Sequence, residues 1–259
     1  MPSIAALVES RDAVSYLRRG LPKAGPSLVS CRSIAGLERL FASRVVDAVV
    51  LSPRHRLWRE ARALVQDQYP AVAVVVYAAF RPDDGGLLLQ CHSEGVAAAA
   101  VFGVDDPVVG ELVLRVSLSA RRRAALAHAP RMLNLLEPLQ VKVWDVVIRE
   151  ADGALQTEAL ARRFGISREY LSRQFAAGGA PNLKRAVDLA RIVCAAQLLH
   201  NPGYTQADVS RVLLFSSASH LGRTARRIAG VSAAGLAHLE PGEILTRFVQ
   251  GKTRSRLLW

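Results

Sequence analysis

The chain is poor in cysteine, lacks a long apolar run and is short of acid in its second half. Its three cysteines, Cys31, Cys91 and Cys194, are scattered and odd in number. No pair has metal-ligand spacing, so neither a disulfide framework nor a bound metal is implied. The longest apolar run, Ala71 to Phe80, is too short to span a bilayer. The opening MPSIAALVES lacks a basic lead and reaches Glu9 early, which makes a poor signal peptide. A reducing cytoplasm is therefore the expected location, with no membrane partner. No glycine-rich phosphate loop occurs, so no nucleotide cofactor, or any other cofactor, is expected.

What is present is uneven. The formal charge is +12. Residues 1–120 carry 13 Lys plus Arg against 12 Asp plus Glu, whereas residues 121–259 carry 21 against 10. The basic excess is confined to one half, as in a polyanion-binding domain, and is not spread as in a generally Arg-rich chain. At 259 residues, 51% hydrophobic and 22% charged, the chain has room for two domains with buried cores.

The first half alternates. Asp47 to Ser52, Ala71 to Ala78 and Val96 to Gly103 are continuously apolar, the pattern of parallel strands covered on both faces. Weaker runs at Ser3 to Glu9 and Pro26 to Cys31 precede them. Amphipathic segments lie between, at Asp12 to Leu21, Ile34 to Ser43, Leu57 to Gln68 and Leu87 to Glu94. A last helix is expected from Val108 to about Leu126. Five strands alternating with five helices define a doubly wound, flavodoxin-like α/β domain.

In length and rhythm this part resembles the receiver domain of bacterial response regulators. The resemblance implies a phospho-accepting Asp after the third strand, acidic residues after the first and a Lys after the fifth. Here the first strand ends at Glu9, Ser52 stands in the acceptor's place, and Val96 to Asp106 contains no Lys. Glu9 and Ser52 are thus degenerate receiver positions, with little to hold Mg²⁺. A phosphorylation-independent pseudo-receiver is expected, serving dimerisation or regulatory contact. The helix after the fourth strand and the last helix are the usual interfaces in receivers. Cys91-His92 lies in LLLQCHSEG, the end of a helix rather than a nucleophile elbow, so no catalytic residue is expected and the chain is not read as an enzyme.

Arg121 to Arg123 are expected at the solvated end of the last helix of the first domain, with phosphate contact as the alternative. Pro130 and Pro138 mark breaks. The second half then writes one motif twice. TEALARRFGISREYLSRQF runs from Thr157 to Phe175, and TQADVSRVLLFSSASHLGRTA from Thr205 to Ala225. Gly165 meets Leu214, Ser167 meets Ser217, Leu171 meets Leu221 and Arg173 meets Arg223. Each copy reads as a short helix, a tight turn, a serine cap and a second short helix, which is a helix-turn-helix. Thr157 is expected to cap the first helix, and Thr205 with Asp208 to form a capping box on the second copy. A helix from Leu183 to His200, roughly 27 Å long, separates the copies by about one DNA turn.

LARRFGISREYLSRQF, RIVCAAQLL and FSSASHLGR together resemble the AraC/XylS family of bacterial transcription regulators, over Leu139 to Leu239. The resemblance implies an all-α domain of two helix-turn-helix units joined by a long helix. It further implies double-stranded DNA as partner, with both second helices in successive major grooves. Carried over by position, Glu169, Ser172 and Arg173 face bases in the first unit. Ala218, Ser219, Gly222 and Arg223 do so in the second, where only Ser219 and Arg223 are suited to reading. Arg168, Lys184, Arg226 and Arg227 are the phosphate candidates. The second unit departs from the family: Leu214 replaces the turn Gly, so the turn is expected to be rebuilt, and Leu221 and Ala225 replace aromatics. It is expected to bind weakly, through the backbone.

The expected organisation is 1–125 receiver-like, 126–138 linker, 139–240 DNA-binding and 241–259 a C-terminal extension. Within the extension GEILTRFVQ reads as an amphipathic helix patching the second core, and KTRSRLLW as either disordered or DNA-touching. The function expected is a sequence-specific transcription regulator, dimeric, with RNA polymerase as a contact typical of such domains. The rival is a first domain that senses a small molecule or derives from an enzyme. A small molecule that strongly stabilises the first domain against heat would favour the rival.

Overall fold

The computed structural model describes residues 2–23, 25–153 and 155–256, of which 252–256 are described by backbone alone. The chain forms two compact units, Met1–Arg121 with Asn201–Gly203, and Arg122–His200 with Tyr204–Trp259. Among the described residues no helix is long and apolar enough to cross a membrane.

The first unit holds β1 (Ser3–Leu7), α1 (Arg11–Gly20), β2 (Ser27–Ser30), α2 (Ile34–Ser43), β3 (Val46–Leu51), α3 (Trp58–Gln68), β4 (Ala73–Ala78), α4 (Gly85–Ser93), β5 (Ala98–Val101) and α5 (Val109–Val116). All strand pairs are parallel, in the order β2-β1-β3-β4-β5. This is the flavodoxin-like order of a doubly wound sheet. The central strands β1 and β3 are buried along their whole length, while the edge strands β2 and β5 are partly exposed. The apolar runs of β3 and β4 thus fall where both faces are covered, whereas that of β5 forms a partly exposed edge. Ile4, Val50 and Val75 pack with Leu17 of α1 and with Val109 and Val113 of α5.

Serines start the helices. The Ser10 side chain accepts from the Asp12 and Ala13 amides at 3.0 and 3.1 Å, and Ser33 accepts from Gly36 at 3.1 Å. Each satisfies helix N–H groups that have no partner within the helix.

The last helix is not continuous. It breaks at Ser117 (φ −65°, ψ 158°) into α5 and α6 (Leu118–Ala125). Buried Ser117 donates to the Leu114 carbonyl at 2.7 Å and accepts from the Ala120 amide at 3.2 Å. Fully buried Asp47 accepts from the Ser119 amide at 2.9 Å and from its hydroxyl. Side-chain bonds of this kind compete with the helix and win here, a result periodicity alone misses.

The second unit holds α7 (Ala129–Met132), α8 (Pro138–Arg149), α9 (Thr157–Arg163), α10 (Arg168–Phe175), α11 (Leu183–Leu199), α12 (Gln206–Val212), α13 (Ala218–Ala229) and α14 (Pro241–Arg256). Nearly every residue of α11 is buried, and α8, α12, α13 and α14 pack around it. Ile244, Leu245 and Phe248 of α14 are buried, so the extension is built into this core. The last three residues of KTRSRLLW lie outside the described residues.

Arg122 overturns the solvated-end expectation. It is 1% exposed. Its guanidinium donates to the Ile148 carbonyl at 3.3 Å, to Gln197 at 3.1 Å and to the Cys194 sulfur at 3.2 Å. These acceptors offset the cost of burying the cation. Arg121 and Arg123 are exposed, as expected.

One close approach holds α1 against α5. A Cβ on Gly110 would lie 2.2 Å from the Gly20 carbonyl oxygen. Both sides are backbone, so neither can rotate away. G110A is expected to destabilise the chain by about 1–3 kcal/mol through overpacking, read as a lower melting midpoint by circular dichroism. An unchanged midpoint would contradict the packing.

Candidate nucleic-acid interface

The two turns of the DNA-facing unit share one hydrogen-bond pattern. In the first, the Gly165 amide donates to the Arg162 carbonyl and Ile166 to Ala161, both at 3.1 Å. In the second, Leu214 donates to Arg211 at 3.1 Å and Phe215 to Ser210 at 2.8 Å. Each pair is a Schellman closure of a helix end, which requires a left-handed residue. Gly165 has φ +66° and Leu214 has φ +56°. The second turn is therefore not rebuilt, contrary to the expectation drawn from the missing Gly. The leucine adopts the glycine conformation, because the closure satisfies two carbonyls that would otherwise lack partners.

Serines then start the second helices. Ser167 accepts from the Tyr170 amide and Ser217 from His220, each at 3.1 Å. The extra residue of the second turn, Ser216, bonds His220 Nδ1 at 3.0 Å. The Thr205–Asp208 capping box forms, with Thr205 accepting from the Asp208 amide and Asp208 from the Thr205 amide, both at 3.1 Å. The Thr205 hydroxyl bond holds the Asp208 carboxyl below its ordinary pKa. Thr157 does not cap α9. Gln156 is the N-cap and Thr157 the first helical residue. The extended backbone of a cap falls at Gln156 (φ −96°, ψ 141°), so Thr157 already lies inside the helix.

The second helices seat differently. In α10, Leu171 and Phe175 are fully buried, Arg168, Glu169 and Arg173 are exposed, and Ser172 is half-buried. In α13, Leu221 and Ala225 are buried and Ser219, Arg223, Arg226 and Arg227 are exposed. The volume lost at Ala225 is offset by Phe215, which is 7% exposed where the first copy has Ile166. The Arg191 guanidinium lies 3.9 Å from the Phe215 ring centre and donates to the Leu213 carbonyl at 2.7 Å, tying α11 to the second turn.

Of the phosphate candidates, Arg168 and Lys184 line one cleft with Arg191 and the start of α9. Ser219, Arg223 and Arg226 line a groove beside α13. Arg227 bonds Asp188 of α11 at 2.6 Å and still keeps about half its side chain exposed. Asp188, and Tyr170 beneath Arg173 (guanidinium 5.7 Å from the ring centre), were passed over in the sequence. The signals were an acid within an apolar helix and an aromatic on a polar face.

In the first unit Glu9 is exposed and Ser52 is 1% exposed, accepting from the Arg54 amide at 3.3 Å. The nearby acids are engaged locally. Asp105 accepts from Val101 at 2.7 Å, and Asp106 from Gly103 at 2.8 Å and from the Tyr77 hydroxyl at 2.5 Å. Burial, then Asp106, pushes the Tyr77 hydroxyl far above the ordinary phenol range. Among the described residues no cluster of His, Cys, Asp or Glu could hold a metal. Cys91 is buried in α4, and that burial raises its thiol pKa, opposite to what a nucleophile needs.

Paired helix-turn-helix units on a shared central helix, in a chain that also holds a flavodoxin-like α/β unit, define a DNA-binding protein of the helix-turn-helix class. A family model described as a helix-turn-helix domain matches residues 160–237, from within α9 to beyond α13. This segment is an AraC-type helix-turn-helix domain. No curated protein matches. Among solved structures, full-length FixJ from B. japonicum is similar at 15% identity, with 90% of this chain and 97% of that chain covered and a TM-score of 0.36. The domain places the chain among DNA-binding transcription regulators, with double-stranded DNA as partner.

Leu214 is 62% exposed, so its side chain gains little from packing while its backbone is strained. L214G is expected to stabilise the chain by about 0.5–1 kcal/mol, the strain relieved less the unfolded freedom glycine adds. Thermal melting checks this, and a lower midpoint would contradict it.

Proposed function

We propose that the protein is a sequence-specific transcription regulator in which the first helix-turn-helix dominates base readout and the second grips the backbone. The observation that carries this is the difference between two otherwise equivalent helices. The exposed face of α10 offers Arg173, able to bond guanine through two N–H groups, and Glu169, able to accept from a cytosine amino group. The corresponding face of α13 offers Ser219 and Arg223 between Ala218 and Gly222. Arg168, Lys184, Arg226 and Arg227 supply phosphate contacts, which set affinity and register. Arg227 does so while held by Asp188.

The first unit serves as a pseudo-receiver for dimerisation or regulatory contact. Two observations support this. Ser52, which the receiver resemblance sets in the acceptor's place, is buried. α4 anchors by Cys91 alone and exposes Leu88 and Leu89, the latter at 72%. Homodimers formed here would pair two DNA-binding units, and contact with RNA polymerase beside the promoter would give activation. The domain bounds expected from the sequence, 1–125 and 139–240, belong to this same proposal.

Fluorescence anisotropy on a duplex bound specifically by the full chain tests the asymmetry. R173A is expected to weaken binding by about 1–3 kcal/mol, roughly 5- to 150-fold, and R223A by less than about threefold. Equal losses would contradict unequal heads.

A further inference from the structure

The first recognition helix is held by a side chain that cannot reach DNA. Gln140 sits in the first turn of α8 and is 1% exposed. Its Nε2 donates to three backbone carbonyls at the end of α10: Gln174 at 3.3 Å, Phe175 at 3.0 Å and Ala177 at 3.2 Å. Its Oε1 accepts from the Glu137 amide at 3.0 Å. The amide orientation is forced by these neighbours, because the carbonyls need a donor and the Glu137 N–H needs an acceptor.

The geometry explains why such a clamp is needed. α10 is eight residues long and runs into a 3₁₀ turn, Ala177–Gly179, in which Gly178 has φ +64°. α9, α12 and α13 close on a left-handed residue or a run of backbone bonds, and α13 ends at Gly230 with φ +72°. α10 ends at Ala176 in a right-handed conformation, and although the Gln174 and Ala177 carbonyls also accept from the Ala176 and Ala180 amides, the Phe175 carbonyl takes its bond from a side chain of another helix. One amide therefore caps the start of α8 and the end of α10 together, and fixes the two against each other. α10 carries Glu169, Ser172 and Arg173, so the same bonds set where those groups point.

We infer that Gln140 is a positioning residue for base readout, locking the first recognition helix to α8 and so determining sequence discrimination without touching DNA. The inference rests on the proposed dominance of the first helix-turn-helix. Its signature is selective. Phosphate contacts tolerate a small tilt of α10, whereas paired hydrogen bonds to a base edge do not.

The test uses the full chain and two duplexes of equal length, one selected by the chain from a random pool and one with that site scrambled. Three variants grade the loss: Q140N shortens the amide, Q140E keeps the acceptor for Glu137 but removes the donor, and Q140M removes both. The expected result is a drop of about tenfold or more in the selected-to-scrambled affinity ratio, with scrambled-duplex affinity changed by less than about twofold. Combined with R173A, each variant should add little to the R173A loss, since a tilted helix has already lost that contact. Equal losses on both duplexes, full additivity with R173A, or failure of all three variants to fold would overturn the inference, each marking a purely structural role. A wild-type chain that cannot distinguish the duplexes refutes the proposed function itself and the inference with it. A discriminating wild type with unaffected variants refutes the inference alone.

Discussion

A helix of seven or eight residues leaves most of its backbone polar groups without a partner inside the helix. The four-residue reach of the α-helical bond makes this unavoidable, and such helices are not stable alone in water. Three helices of the second unit are of this kind: α9 and α12 have seven residues and α10 has eight. Their ends must be satisfied by turns and side chains, and those same bonds fix where the exposed faces point. The left-handed closures at Gly165 and Leu214, the serine caps at Ser167 and Ser217, and the Gln140 amide all answer this one constraint.

The constraint accounts for how the repeat diverged. The second copy has Leu214 where the first has its turn glycine and Ala225 where the first has Phe175, yet it keeps the closure. Leu214 holds the strained conformation because two carbonyls depend on it. Its reduced core is rebuilt from three sides: Phe215 within the turn, Arg191 laid over that ring, and α14 packed on α11 and α13. The copy keeps its helix-turn-helix geometry, while the exposed face of its second helix carries Ser219 and Arg223 between Ala218 and Gly222. In the first unit Asp105 and Asp106 brace their own loop and Tyr77, and Ser52 is buried.

Much of this was legible in the sequence, for identifiable reasons. All five strands of the first half were readable: β3 and β4 because strands covered on both faces leave continuous apolar runs, the others as apolar runs set between amphipathic segments. The double helix-turn-helix was readable because a repeated motif signals itself twice. What was hidden depends on partners distant in the chain. Ser117 breaks the last helix only with Asp47 fixing Ser119 some 70 residues away. Arg122 looks like a surface cation until Ile148, Cys194 and Gln197 surround it. Gln140 reads as an ordinary polar residue near a helix start, and its bonds to α10 are invisible to periodicity. Of the site residues, exposure was readable from spacing, while the Asp188 bond to Arg227 and the Tyr170 ring beside Arg173 required the fold.

Unequal reading by two equally folded heads is the central claim, and the sequence preference of the intact chain tests it most directly. Duplexes carrying a random segment, selected over several rounds by the full-length protein at fixed salt and then sequenced, report the information at each base pair. The expected pattern has one sharply specified block. About one helical turn away, roughly 10 base pairs, a second block should be weakly specified, and R173A should erase the first block. Two blocks of equal information, or no enriched sequence, would contradict it.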